Sequence, residues 1–392
     1  MPKPIYFVGF IVISLALIGG QLLRWSIGGA TVTALDITVA GWAIVWLWGV
    51  LTKSPHPSTP RFLWWGIGFS VLAIVSLIGA LRWVDLAEII LASSYLIRWV
   101  AYATLVYLGY ILARSSRLIP ALGAVFGSVA LLGIIQWLIV PNLGFLEQFG
   151  WDPHQGRLVS TFLDPNFVGG FLAVGTALSI PQIFASQKLQ LRWYWGVILT
   201  LALVGVYLTF SRSALLALLI AIGVVGILRY RLFSAVLLTV VTLSCLASPR
   251  WLERGRGAIT LDQTARYRIA SWNDGLNIIQ HEPLIGVGFN TLPSTRSNYG
   301  YTSGGHSASG FDSSLLTIGA TTGGLGLIAY LGLLVSALLL AWRRWRSAAS
   351  PVALTFLAAT SALLVHSLFV NSLLYPSVLV VWWIILGLVW AI

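Results

Sequence analysis

Runs of about twenty residues with almost no charge recur from one end of this 392-residue chain to the other, and nothing constrains its fold more. Each run is long enough to cross a hydrocarbon core of roughly 30 Å as a helix. Only 9% of the residues are charged and 58% are hydrophobic, against about 25% charged in an ordinary soluble domain. A large water-soluble enzyme and a disordered chain are both excluded on that ground. The expected fold is all-α, a polytopic transmembrane helical bundle of about twelve spans. These fall near 5–23, 37–52, 62–80, 89–113, 118–140, 167–185, 193–210, 213–229, 232–247, 315–341, 352–370 and 377–391. The first is not a cleaved signal peptide, because no small-x-small site follows it and further spans do. The single cysteine, Cys245, lies in an apolar run, which rules out an internal disulfide and a thiol metal site.

Charge sets the expected orientation. With the N-terminus in the cytoplasm and spans alternating, the inner segments carry 12 of the 23 basic residues. All 11 acidic residues fall on the outer side beside the remaining 11 basic ones. This is the positive-inside pattern, with both termini cytoplasmic in a cytoplasmic (inner) membrane. Trp64, Trp65, Trp193, Trp195, Trp342 and Trp345 flank the inner basic loops, where an aromatic belt belongs. The net charge of +12 therefore reports topology and contact with anionic membrane lipids, and no nucleic-acid partner is expected.

The inner loops are too short for a nucleotide-binding domain, and no Walker motif occurs. The chain divides into N-terminal transmembrane helices (1–140), central transmembrane helices with an outer loop at 141–166 (141–247), a long extracytoplasmic loop (248–314) and C-terminal transmembrane helices (315–392). The long loop holds six arginines, four acids before Asp312, and two histidines. Any chemistry belongs outside.

Ser211-Arg212-Ser213 sits at the outer turn between the seventh and eighth spans. An arginine there either snorkels to the surface or binds an anion with help from Ser211 and a helix N-terminus. From Arg268 the loop text has helical spacing, with Ile269, Trp272, Leu276 and Ile279 on one stripe. The expectation is a short amphipathic helix against the membrane that presents Arg266 or Arg268 at its start, suited to bidentate phosphate binding. Asp312 opens the tenth span, either as an N-cap or as an acid at the mouth of the bundle. Asp164-Pro165 reads as a cap followed by a first-turn proline. Arg157 is open between structure and function. Arg98 lies inside the fourth apolar run and is either a site residue or half of a buried ion pair. His366 and Asn371 read as structural hydrogen-bonding residues, and His56 and His154 carry no inference. Neither HExxH nor DxD occurs, so no catalytic metal and no cofactor are expected.

Taken in order, several segments resemble the O-antigen ligase and polymerase superfamily. They are Ser160-Thr161-Phe162-Leu163-Asp164-Pro165-Asn166, then Thr209-Phe210-Ser211-Arg212-Ser213-Ala214-Leu215-Leu216, then Arg268-Ile269-Ala270-Ser271-Trp272. Pro283-Leu284-Ile285-Gly286-Val287-Gly288-Phe289-Asn290 follows, then Asp312-Ser313-Ser314-Leu315-Leu316 and Thr322-Gly323-Gly324-Leu325-Gly326-Leu327. The resemblance covers roughly 155–340; the first five spans match in hydropathy only. It implies a multispanning glycosyltransferase that takes a glycan from an undecaprenyl-diphosphate-linked donor to a glycan or lipid acceptor, at the outer face of the cytoplasmic membrane. It further implies Arg212 and Arg268 on the diphosphate and Asp312 orienting or deprotonating the acceptor. Arg266, His306, Ser211, Arg157 and Arg98 are the supporting binding candidates. Ligases of the family usually carry His-Asn where this chain has Asp312-Ser313, with His306 the nearby histidine. Direct displacement, and hence inversion without a metal, follows from the resemblance and from the lack of a second candidate nucleophile. The rival readings are a transporter or lipid-linked glycan flippase without chemistry, and a structural scaffold.

Overall fold

A computed structural model of the chain describes residues 4–52, 59–300 and 310–392. The element order is α1 (Pro4–Gly19), a hairpin of β1 (Arg24–Ile27) and β2 (Ala30–Thr33), α2 (Ala34–Thr52), α3 (Arg61–Ala80), α4 (Leu86–Ala103), α5 (Leu105–Leu112) and α6 (Leu118–Ile139). It continues with α7 (Pro165–Ala185), α8 (Leu189–Thr209), α9 (Arg212–Leu228), α10 (Arg231–Leu246), α11 (Pro249–Ile259), α12 (Gln263–His281), α13 (Leu292–Thr295), α14 (Ser314–Ala348), α15 (Pro351–His366) and α16 (Pro376–Ala391). Each of the twelve apolar runs falls on a helix, α4 and α5 sharing one run. Among the described residues, eight helical segments are long and apolar enough to cross a membrane; α9, α15 and α16 are shorter apolar helices. The chain is an all-α polytopic bundle.

Local sequence chemistry accounts for the helix starts. Asp85, Asp164, Ser211, Ser248, Asp262, Ser313 and Ser350 each accept a backbone N–H of the first turn of the helix they precede. Such caps satisfy donors that would otherwise be orphaned, each contributing about 1 kcal/mol. Proline follows directly at α7, α11 and α15, where its missing N–H is harmless.

The centre of the bundle is α7, whose apolar window is 83% buried. Its small residues explain the close approach of its neighbours: a side chain at Gly169 would collide with Ala214, at Gly170 with the His366 ring, and at Gly175 with Phe126. In lipid, where burial of apolar surface does not drive helices together, such small-residue contacts do much of the packing.

Polar contacts sort the connections into two ends. At one end Arg24 lies over the Trp151 ring at 4.4 Å, Arg82 pairs with Glu282 at 2.6 Å, and Arg250 donates to Gln155 O at 2.8 Å. At the other end Arg229 donates to Ala349 O at 3.0 Å and Arg344 to Trp390 O at 3.4 Å. The first group joins the segments that carry the acids, and the second joins the basic ones.

Three sequence expectations are sharpened or corrected here. The amphipathic helix is present as α12 and carries Arg266 and Arg268 in its first two turns, but it begins earlier, at Gln263, where Asp262 caps it through Ala265 N–H, and α11 precedes it. Its packed face is Ser271, Gly275 and Ile278, while Ile269 and Leu276 of the expected stripe stay exposed, as residues lying against lipid would. Asp312 is not the cap of α14; that role belongs to Ser313, whose side chain accepts from Leu316 N–H. Finally, neither ring nitrogen of His366 nor Oδ1 of Asn371 makes a hydrogen bond of full geometry among the described residues, while the Asn166 backbone faces the His366 ring. The His366 ring also packs against Gly170.

The two glycine-rich motifs turn out to be one structural unit. Gly323 breaks α14 with φ 68° and ψ −175°, about 14 Å along the helix from its start at 1.5 Å per residue. The break frees the carbonyls of Ala320 and Thr321, which accept from Val287 N–H (3.0 Å) and Gly288 N–H (3.1 Å). In return Gly324 N–H donates to Pro283 O at 2.7 Å, and Ser76 of α3 donates its hydroxyl to Thr321 O at 2.5 Å. Segment 283–290 is thus inserted into the bundle between α3 and α14. Non-helical backbone at that depth survives only when buried in protein with its polar groups paired. Gly286 adopts φ 69°, and a Cβ there would lie 2.5 Å from Ala320 O. Gly286→Ala should therefore destabilise the protein by more than the about 1–3 kcal/mol of backbone strain alone. Thermal unfolding in detergent measures this against Gly300→Ala, where φ is also positive (78°) but nothing lies within 4 Å. Equal midpoints for the two variants would remove the close-packing argument.

Candidate functional site

A cavity of about 1010 Å³ opens at the acid-bearing end of the bundle. Its walls come from the hairpin, α2, α4, the segment 152–157, the starts of α7 and α14, α11, α12, the segment 289–294 at the end of the insert and the segment 369–376. Of the residues singled out from sequence, Arg98, Arg157, Arg268 and Asp312 line it, whereas Arg212, Ser211 and Arg266 do not. His306 lies outside the described residues.

Arg157 follows Gly156 (φ 58°), in a segment that pairs with the end of α8 through Leu158 N–H to Leu208 O at 2.9 Å. Its Nε donates to Thr209 O at 2.8 Å, which uses one of the helix's terminal carbonyls. Its Nη2 is buried with no partner among the described residues. Burial, with the neighbouring Arg254 charge next in size, pushes its pKa down to about 9. At neutral pH the guanidinium stays protonated, and the shift registers how poorly that charge is accommodated.

Arg254, which sequence reading passed over, stands on α11 one turn after Arg250 and also lines the cavity. Its Nε is buried and unpartnered among the described residues. Burial and then the Arg212 charge lower its pKa. Arg268 reaches the same space from α12; burial lowers its pKa and the Asp312 carboxylate partly offsets this. Among the described residues, Arg157, Arg254 and Arg268 make no ion pair within 4.0 Å, while four other arginines do. Three guanidinium groups share one partly enclosed space and disfavour one another. A polyanion with several acceptor oxygens would relieve both deficits, each charge-assisted hydrogen bond being worth roughly 1.5–3 kcal/mol. The i, i+4 spacing of Arg250 and Arg254 was the available sequence signal for the missed residue.

Arg212 is engaged elsewhere. Its two terminal nitrogens reach the two Asp262 oxygens at 2.9 and 3.0 Å, and Nη1 also donates to Arg254 O at 3.2 Å. Arg212 opens α9 and Asp262 caps α12, so this fork sets the start of the helix that carries Arg268. Ser211, fully buried, donates to Asn166 Oδ1 at 2.7 Å and ties the α8–α9 turn to α7. Arg266 is exposed and donates to Leu261 O at 2.8 Å.

The Asp312 backbone is held at both polar groups by α12. Its N–H donates to Ser271 Oγ at 2.9 Å, and its carbonyl accepts Trp272 Nε1–H at 3.0 Å. Asp312 is therefore positioned by the same helix that presents Arg268. Across the cavity's other wall, Arg98 pairs with Asp36 at 3.1 Å and donates to Thr31 O at 2.5 Å. Tyr102 donates to Asp36 at 2.9 Å. The intramembrane arginine thus has its partner in α2, and Asp85 is the cap of its own helix α4.

Residues 197–331 match the family described as O-antigen ligase. No curated protein matches the chain. The matched stretch contains Arg212, Arg254, Arg268, the inserted glycine-rich segment and Asp312, so the resemblance to the O-antigen ligase and polymerase superfamily stands on a family match as well as on the order of its motifs.

Proposed function

We propose that this multispanning protein is a membrane glycosyltransferase, similar to O-antigen ligases and polymerases. It would transfer or polymerise a glycan from an undecaprenyl-diphosphate donor at the outer face of the cytoplasmic membrane, with both termini inside. The observation that carries the reading is the trio of partly buried arginines Arg157, Arg254 and Arg268, which make no ion pair among the described residues and face one cavity beside Asp312. A lipid diphosphate supplies the missing acceptor oxygens.

In this reaction an acceptor hydroxyl oxygen attacks the anomeric carbon of the donor sugar. The new glycosidic C–O bond forms as the C–O bond to the diphosphate breaks, and configuration inverts. The electron pair leaves on the diphosphate, where the arginines hold the developing charge. The hydroxyl proton passes to the Asp312 carboxylate. Arg212 acts on this site through Asp262, setting the start of α12.

A transporter reading gains one point, since α14 is broken at Gly323 as transport helices often are. The freed carbonyls are nonetheless taken by Val287 and Gly288 N–H, so the break is filled by this chain's own backbone. Cells lacking the protein should accumulate the lipid-linked glycan on the outer leaflet, where a membrane-impermeant lectin labels it on spheroplasts. Accumulation inside instead would mean that the missing step is translocation.

A further inference from the structure

The arginines account for only part of the cavity. Its volume of about 1010 Å³ is at the top of the roughly 300–1,000 Å³ that ordinarily holds a drug-sized ligand, and is more than a diphosphate fills. A second wall is one face of α4. Glu88, Leu91, Ala92, Tyr95, Trp99 and Tyr102 recur there at three- and four-residue spacing, and all line the cavity.

The chemistry of this wall differs from that of the arginine pole. Trp99 is 4% exposed, and its indole N–H has no partner among the described residues. Asn371, which lines the same cavity, has a buried carbonyl oxygen equally without a partner among the described residues. The first group needs an acceptor and the second a donor. A phosphate oxygen cannot serve Asn371 and is repelled by Glu88, and a lipid chain serves neither. A hydroxyl serves both, since it donates and accepts. The floor beneath is rigid: Asp36 accepts from Thr33 N–H, Tyr102 and Arg98. The half-buried Tyr95, braced by Arg98 at 4.7 Å from its ring, offers an aromatic face of the kind on which the C–H side of a pyranose stacks.

We propose that the α4 wall, with Glu88, Tyr95 and Trp99 and joined by Asn371, is a saccharide subsite that holds sugar rings beside the diphosphate. The proposal rests on the glycan-transfer reading above. Its residues, like Arg157 of the arginine pole, lie outside the stretch that matches the O-antigen ligase family, whereas Arg254 and Arg268 lie inside it.

Purified protein in nanodiscs is titrated with two probes. One is undecaprenyl diphosphate without a glycan; the other is lipid-linked oligosaccharide extracted from cells lacking the protein. Glu88→Gln, Tyr95→Leu and the packing-preserving Trp99→Phe should each weaken oligosaccharide binding by about tenfold, the size of one lost hydrogen bond or stacking contact. Carrier binding should move less than about twofold, well under the loss of one such contact. Unchanged donor affinity with at least about tenfold slower consumption of the oligosaccharide in membranes would assign the rings to the acceptor rather than the donor. Unchanged affinity together with unchanged consumption in all three variants overturns the subsite. Failure of the wild-type protein to bind undecaprenyl diphosphate is a separate result, and it removes the glycan-transfer reading beneath the proposal.

Discussion

Arg268→Ala is expected to slow glycan transfer by about 10²–10³-fold, the usual loss when one preorganised charge-stabilising donor is removed. The protein should remain in the membrane at wild-type level. Arg268 has no carboxylate within 4.0 Å among the described residues, and burial already disfavours its charge. Removing it takes one cation from a cluster that also holds Arg157 and Arg254. Buried charge without a partner destabilises, so the substrate-free variant should unfold at the same temperature as wild type or higher. Loss of turnover with no loss of stability separates a ligand-binding arginine from a structural one. Arg268→Lys should lose much of the activity as well, since an ammonium lacks the planar fork that matches phosphate oxygens. Arg266→Ala is the internal comparison: its side chain is exposed, bonds its own loop at Leu261 O, and does not line the cavity. Wild-type turnover in Arg268→Lys at equal protein level would reject the diphosphate assignment.

Asp312→Asn is expected to be equally well folded and slower by about 10²–10⁴-fold, the range for loss of a positioned proton acceptor. The folding half of this expectation is firmer than sequence alone allowed. Ser313, not Asp312, caps α14, and the contacts that hold residue 312 run through its backbone N–H and carbonyl to Ser271 and Trp272. The substitution leaves these backbone contacts intact and removes the charge and basicity of the carboxylate, including its electrostatic support of Arg268. His306→Ala should keep most activity. The two variants are read together by steady-state transfer at matched expression. An active Asp312→Asn beside an inactive His306→Ala would transfer the proton-accepting role to the histidine.

What the amino-acid order determined by itself is whatever depends on local length and net charge. A run of twenty apolar residues must be a helix in lipid wherever it sits, and the confinement of the acids to alternate connections already predicts which loops gather at one end. The cap at Asp164 was equally legible, because a cap is a contact between residues two or three apart. The site was legible only in part, because arginines in a long loop differ in nothing but direction. Arg212 and Arg268 carry similar sequence signals, yet Arg212 meets Asp262, 50 residues away, and is consumed by it. Arg254, marked in the text only by its spacing from Arg250, turns into the same cavity as Arg157, which lies nearly a hundred residues earlier. The pairing of segment 283–290 with the break at Gly323 was likewise invisible, although both glycine motifs had been noticed. Which charge finds a partner, and which is left facing a cavity, is a competition among groups brought together from α2, α4, α7, α11 and α12. Only the packing of those helices decides it.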